Sequence, residues 1–306
     1  YGVTRDWVLG LDVVLADGRT LALGRRTTKG VTGYDLTALM VGSEGTLGLV
    51  TRATLRLAPR PEAVRTLAVY LDDEAKMADA VSTRLGVGVT PRCVEVLDGI
   101  ALGVMHAAGV PMPAGSAALC IVEVDGDLAR ADADMERVGN ALADDAVEVL
   151  AAKHDADRER LWAPRRQMSR SLRALAKHKL SEDVVVPRSK LAALLSRCRE
   201  IAERRAVRMP AYGHAGDGNM HVNFLWDEPD ERPRVDAAIR ELFEAVVALG
   251  GTLSGEHGIG ALKAPYLALE QSSELIEVQR SLKATLDPLG ILNPSKIFPA
   301  AGHGSC

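Results

Sequence analysis

Tyr212-Gly-His214-Ala-Gly-Asp-Gly-Asn-Met-His221-Val-Asn223 is the stretch whose reading decides the fold around the chemistry-bearing groups. Two imidazoles flank Gly216-Asp-Gly-Asn219, and glycine accepts the positive φ that a tight reversal needs. The stretch therefore predicts a hairpin, with His214 and His221 on adjoining strand ends. Side chains alternate along a strand, so His221 and Asn223 share one side while Val222 and Phe224 share the other. The two histidines can converge on one metal ion, with Asn223 just beyond to hold a ligand oxygen.

Working outward, Ser254-Gly-Glu256-His257-Gly-Ile-Gly260 adds a carboxylate and a third imidazole between glycines. A mixed His/His/carboxylate set with open positions is the donor arrangement of a catalytic divalent metal, most often zinc, and His214, His221 and Glu256 are its candidates. His257 is adjacent yet points elsewhere, which suits a general base, because imidazole titrates near neutrality. The bland alternatives are a polar hairpin with hydrogen-bonded histidines, and Glu256 capping a helix near 260–269. The concentration of such groups favours the metal reading.

A third cluster is Gly42-Ser43-Glu44-Gly45-Thr46-Leu47-Gly48. It superficially matches GxxGxxG, but a dinucleotide fingerprint opens a helix after a strand. A β-branched strand follows here, so that reading fails. A structural turn and a backbone cradle against an anionic cofactor both stay open.

The 306 residues suffice for two domains, and 47% hydrophobic content can fill more than one core. Net charge is −4, from 37 basic and 41 acidic residues, which gives no footprint for a nucleic-acid partner. The longest apolar runs, such as Ala117-Ala-Leu-Cys-Ile-Val122, are too short to span a bilayer. Cys93, Cys120, Cys198 and Cys306 share no CxxC spacing, which argues for a reducing compartment and against an iron–sulfur or thiolate-zinc motif. Tyr1 stands where an initiator Met would, without a signal peptide, and the chain reads at once into a strand; the expectation is a fragment.

Leu9, Leu11, Val13 and Leu15 alternate, Asp17-Gly18 turns, and Leu21 and Leu23 resume the pattern, a strong hairpin signal. Residues 35–40 form a short turn or helix, and a strand spans 48–57. Beyond the linker Pro59-Arg-Pro61 the texture alternates. Strands are expected at 66–71, 92–97, 118–124 and 147–150. Helices are expected at 73–85, 128–142, 190–205, 232–249 and 273–286, with another over 155–177 broken or restarted at Pro164. The pattern fits helices covering one face of an antiparallel sheet, the α+β class. A guanidinium on the 155–177 helix, Arg165 after Trp162, can bind a carboxylate bidentately, whereas Arg166, Arg170 and Arg173 read as solvated charge.

These clusters resemble the FAD-linked 2-hydroxy-acid dehydrogenase family, which includes D-lactate dehydrogenase, the glycolate oxidase catalytic subunit and D-2-hydroxyglutarate dehydrogenase. The resemblance runs over the whole chain, carried by 213–221 and 254–260, with Tyr34, 42–48 and Asn293-Pro-Ser-Lys296 adding the flavin-side pattern. It implies metal ligands at His214, His221 and Glu256, a base at His257, and substrate contacts from Arg165, Ser169, Lys179 and Asn223. Flavin contacts follow from Tyr34, Gly42, Ser43, Glu44, Gly45, Thr46, Gly48, Val50 and Asn293. The fold implied is the C-terminal part of a vanillyl-alcohol-oxidase-type FAD domain over 1–58 and a ferredoxin-like substrate domain with a helical extension over 59–292. A tail at 293–306 returns to the flavin. The reaction implied is metal-assisted oxidation of a D-2-hydroxy acid, D-lactate or glycolate, to the 2-oxo acid, with hydride passing to flavin N5. Electrons would then go to a quinone, a cytochrome or a partner subunit. A homodimer and a cytoplasmic location, peripheral at the membrane's inner face, are further expectations. The rivals are a zinc hydrolase using the same donors and a non-catalytic flavin-binding subunit.

Overall fold

The computed structural model describes residues 1–83, 85 and 88–299, so Cys306 lies outside the described residues. Packing divides the chain into two compact units, Tyr1–Arg60 with Glu256–Cys306, and Pro61–Gly255. The expected domain at 59–292 follows chain order, whereas this grouping follows packing.

In the first unit, β1 (Val8–Val14), β2 (Thr20–Gly24) and β3 (Leu49–Leu55) form an antiparallel sheet in the order β2-β1-β3. The predicted turn joins β1 to β2, with Gly18 at φ 84°. A four-residue helix, Thr4–Trp7, precedes β1 where a strand was expected from the outset. The Asp6 carboxylate accepts from Val3 N at 3.1 Å, closing that helical turn. Leu11, Val13, Leu15, Met40 and Leu47 are buried together, and Leu286 of the helix Ser273–Leu286 packs against them. The short helix Leu36–Met40 starts at Asp35, whose side chain accepts from Ala38 N.

The second unit is built on seven antiparallel strands. These are β4 (Ala63–Leu71), β5 (Cys93–Leu97), β6 (Ala118–Gly126), β7 (Ala146–Ala152), β8 (His178–Val185), β9 (Ala211–His214) and β10 (Asn219–Trp226). Their order is β7-β4-β6-β5-β9-β10-β8. The helices are Glu74–Ser82, Gly99–Ala107, Leu128–Leu142, Asp155–Ala174, Leu191–Arg205 and Arg232–Ala248. Three open on aspartate caps, Asp73, Asp98 and Asp127.

Strand register sorts the sheet into two faces. Thr66 pairs with Glu123, Glu123 with Cys93, Leu97 with Tyr212, Tyr212 with His221, and His221 with Asp183. All of these therefore share one face. The Asp155–Ala174 helix lies on it, burying Leu161, Met168 and Leu172 with Tyr70, Leu97 and Tyr212. The opposite face carries Leu67, against which the Leu128–Leu142 helix packs, since a Cβ at Gly139 would lie 3.9 Å from Leu67 Cδ1. Helices thus cover both faces, not one. The reason is that Asp155–Ala174, polar in its average composition, still carries a buried stripe.

That helix also runs through Pro164 without a break. Proline removes one helical N–H, yet bonds from Arg158 and Trp162 before it and Arg165 after it anchor both halves to the sheet. In this unit the helix Gly99–Ala107 and the strand β8 lay outside the sequence reading.

Candidate active site

The hairpin forms as the sequence demanded. Asn219 pairs with His214 and His221 with Tyr212, and the turn closes at Gly218 with φ 75°. A side chain at Gly218 would put its Cβ 2.0 Å from Val186 O, so only glycine fits. The rings of His214 and His221 stand edge to face with centroids 5.2 Å apart. Asn223 is fully buried, and its Nδ2 donates to Pro210 O at 3.2 Å and to His221 O at 3.0 Å. Its Oδ1, also buried, has no hydrogen-bond partner among the described residues. Asn223 therefore offers this face an acceptor and not a donor, which is the end that receives a hydroxyl proton or a cation.

Beside the hairpin, β5 contributes Glu95, buried and ionic on both sides. Its carboxylate lies 2.5 Å from His214 Nδ1 and accepts from Arg165 Nε at 2.6 Å. Arg165 stacks over the Tyr212 ring at 4.7 Å. Its two terminal nitrogens donate to no described residue, so the fork end of the guanidinium is open for a planar anion. Arg166, by contrast, points outward and pairs with Glu159.

The helix positions this set by its period. Arg158, Trp162, Arg165 and Ser169 fall on one stripe, and each reaches a strand residue. Arg158 donates to Glu123 at 2.5 Å and Trp162 to Glu123 at 2.7 Å, while Lys179 donates to Ser169 Oγ at 3.2 Å. Burial alone would raise the Glu123 carboxyl, but Arg158, Thr66 and Trp162 outweigh it and hold the group below its ordinary value. Burial, reinforced by Arg173, pulls the Lys179 ammonium below its ordinary value. Ser169 and Lys179, expected separately as substrate contacts, are thus hydrogen-bonded to each other. Burial pushes the thiols of Cys93, Cys120 and Cys198 up to about 12, far from thiolate chemistry.

On the other flank, Asp183 of β8 is the register partner of His221, with Oδ1 3.8 Å from Nδ1. Asp183 Oδ2 also accepts from Ser254 Oγ at 3.2 Å and Gly255 N at 2.8 Å. Gly255 closes the unit, and Glu256 follows it by one peptide bond. Sequence reasoning missed Glu95, Glu123 and Asp183. For Glu95 a signal existed: a carboxylate inside the apolar strand Cys93-Val-Glu-Val-Leu97.

In the first unit, Glu256 and His257 are each about half exposed, with His257 Nε2 3.9 Å from Glu256 Oε1. The cap alternative for Glu256 does not apply, since the next helical residues begin at Ala264 and no side chain caps them. The 42–48 loop is tied down from several sides. Glu44, at φ 53°, accepts on its carboxylate from Ile259 N at 2.7 Å and Gly260 N at 2.8 Å. Asn293 Nδ2 donates to Glu44 O at 2.6 Å, Lys283 Nζ to Thr46 O at 2.8 Å, and Thr46 Oγ1 to Ser43 O at 2.7 Å. Gly48 is a packing glycine, because a Cβ there would stand 2.4 Å from Val13 Cγ1.

Gly42, Ser43, Glu44, Gly45, Gly48 and Val50 line a groove of about 470 Å³ that continues over Leu55. Its walls are mostly apolar side chain and glycine backbone, which fits a flat aromatic cofactor better than a phosphate alone. Tyr34 is 95% exposed and lies outside this groove.

Residues 60–297 match the family described as FAD linked oxidases, C-terminal domain. The chain is 40% identical over 302 residues to glycolate oxidase subunit GlcD of Bacillus subtilis, covering 97% of this chain and 64% of that protein. It is 36% identical over 302 residues to D-lactate dehydrogenase of Archaeoglobus fulgidus, covering 97% and 66%. The chain thus spans a little under two thirds of these relatives. Among solved structures it is similar to p-cresol methylhydroxylase with substrate bound, with a TM-score of 0.74 at 16% identity, over 96% of this chain and 65% of that one. That likeness is one of fold, the α+β fold of vanillyl-alcohol-oxidase-type enzymes. Among the described residues no helix is long and apolar enough to cross a membrane.

Proposed function

The chain belongs to the FAD-linked oxidases through their C-terminal domain, and from that premise we propose that the protein oxidises a D-2-hydroxy acid, D-lactate or glycolate, to its 2-oxo acid with the help of a divalent metal. One observation carries the reading: a paired imidazole set and an arginine with an open fork occupy the same sheet face. A 2-hydroxy acid presents two matching features, a carboxylate for the guanidinium and a hydroxyl oxygen for a Lewis acid. The names of the two relatives point to the same substrate class.

In this reading residues 1–58 are the last part of the FAD domain, 59–292 the substrate domain, and 293–306 a tail to the flavin, of which 300–306 lie outside the described residues. His214, His221 and Glu256 hold the metal, probed as zinc; the edge-to-face rings and the acceptor-only oxygen of Asn223 fit a cation there. The backbone of 42–48, with Tyr34, Val50 and Asn293, holds FAD. When bound, FAD supplies the acceptor for the hydride that leaves C2, and the metal supplies Lewis acidity at the substrate oxygens. Arg165 grips the carboxylate, and Ser169 and Lys179 extend that polar wall. Asn223 Oδ1 faces the hydroxyl, and His257 takes the hydroxyl proton. Loss of that proton with the C2 hydride balances the two-electron oxidation. The electrons leave for an acceptor outside this chain, a quinone, a cytochrome or a partner subunit, and association with the membrane face through that acceptor belongs to the same proposal.

A panel of D- and L-2-hydroxy acids with a dye acceptor tests the reading. Turnover of D-lactate or glycolate, with L-isomers inert, is the expected result. Turnover of none of them, together with metal-dependent ester or amide hydrolysis, would replace it with the hydrolase.

A further inference from the structure

We propose that Glu95 is the positioning residue that sets both halves of the substrate face, fixing the ring of His214 and aiming the guanidinium of Arg165. The assignment rests on the reading above for its chemistry, but its geometry stands alone. Glu95 enters from β5, and its two carboxylate oxygens are divided between the two partners, Oε1 at 2.5 Å from His214 Nδ1 and Oε2 at 2.6 Å from Arg165 Nε. The side chain is 4% exposed, so water does not compete for either contact.

An ionised carboxylate only accepts. Its contact therefore requires His214 to carry its proton on Nδ1, which makes Nε2 the lone-pair nitrogen. Imidazoles that ligate metals are commonly oriented in this way by an outer carboxylate. The same acceptor takes the Nε edge of Arg165 while Tyr212 supports the guanidinium face. What is left is the fork of terminal nitrogens, the edge that binds a carboxylate bidentately. Buried burden also matches: one negative charge faces one permanent positive charge, so the arginine is held without an unbalanced ion in the sheet. One residue thereby couples cation binding to acid binding, two functions that the chain supplies from β9 and from the Asp155–Ala174 helix.

Glu95→Gln breaks this symmetry, because the amide has one acceptor oxygen and one donor NH2. It can satisfy Arg165 or His214 in the observed arrangement, and its NH2 then confronts the other N–H. The test compares wild type, Glu95→Gln and Glu95→Asp in zinc titrations, in KM for D-lactate and glycolate, and in thermal melts. We expect Glu95→Gln to bind zinc 10–100-fold more weakly, the usual loss for an outer-shell partner, and to raise KM, with Glu95→Asp between the two. A merely structural role would lower the melting temperature while the folded variant kept wild-type zinc affinity and KM, and that result would overturn the assignment.

Should Glu95→Gln fail to fold, ring ¹⁵N shifts of selectively labelled histidines in the wild-type protein decide. A proton on Nδ1 of His214 supports the assignment, whether or not Nε2 also carries one, and a ring protonated on Nε2 alone defeats it. Wild-type protein that takes up no divalent ion would sink the metal reading, yet the same ring measurement would still judge Glu95.

Discussion

The seven-stranded sheet and the three-stranded sheet solve the problem of exposing chemistry in opposite ways. On the first, the candidate groups are side chains drawn from distant positions and locked by buried partners: Glu95 meets Arg165 and His214, and Glu123 meets Arg158, Trp162 and Thr66. On the second, the 42–48 loop offers backbone and glycine surface, and its side chains are spent on holding that backbone in place. Strand β3 beside it is exposed along nearly its whole length. A side-chain site is sensitive to single atoms, whereas a backbone cradle depends on conformation. Substitutions should therefore cost catalysis sharply in the first region and cofactor retention gradually in the second.

The largest effect is expected at the proposed metal ligands, the imidazole pair on the seven-stranded sheet and Glu256 outside it. His214→Ala or Glu256→Ala should abolish tight metal binding and nearly all turnover while FAD stays bound, since an open site that loses one of three protein ligands holds its ion poorly. Elemental analysis checks this, and unchanged metal in both variants would mean the donors lie elsewhere. Next comes His257→Asn, which keeps the polar contact but cannot accept the hydroxyl proton near neutrality. Flavin reduction should slow by roughly 10²–10⁴-fold with metal and substrate binding retained. Stopped-flow absorbance reads it, and a wild-type rate would move the base to another group.

Arg165→Met should raise KM for hydroxy acids steeply, on the scale of about 2–5 kcal/mol for truncating a buried charged contact. Arg166→Met, whose partner Glu159 is exposed, should leave KM near wild type. The reverse pattern would transfer the carboxylate contact to Arg166. The smallest effect belongs to the cradle. Glu44→Ala removes the acceptor for Ile259 N and Gly260 N and should cost about 1–3 kcal/mol of local stability. FAD should release more readily on dilution while the rate of the flavin that remains is preserved. A lost rate with intact FAD retention would give Glu44 a chemical role.

Much of this architecture is legible in residue order. Alternating leucines and Asp17-Gly18 give the first hairpin, apolar spacing gives Leu128–Leu142 and Ser273–Leu286, and the glycines between His214 and His221 give the site hairpin. Strand β8 escaped because Lys179, Ser181, Glu182 and Asp183 look like a charged loop. Those residues become strand because β10 pairs with them, Ser181 and Asp183 opposite Asn223 and His221 on the site face and Glu182 opposite Val222 on the other. Gly99–Ala107 escaped because it is apolar on most sides and lacks the amphipathic period. Glu95 lies 70 positions from Arg165 and 119 from His214, and no local pattern records such a meeting.

The measurement that bears most directly on the central claim is anaerobic mixing of FAD-loaded protein with D-lactate or glycolate, before and after chelation. Metal-assisted oxidation at the His214–His221 face predicts rapid bleaching of the flavin, loss of bleaching after chelation with FAD still bound, and recovery on adding zinc. Bleaching at an undiminished rate in protein shown to be free of metal would contradict it.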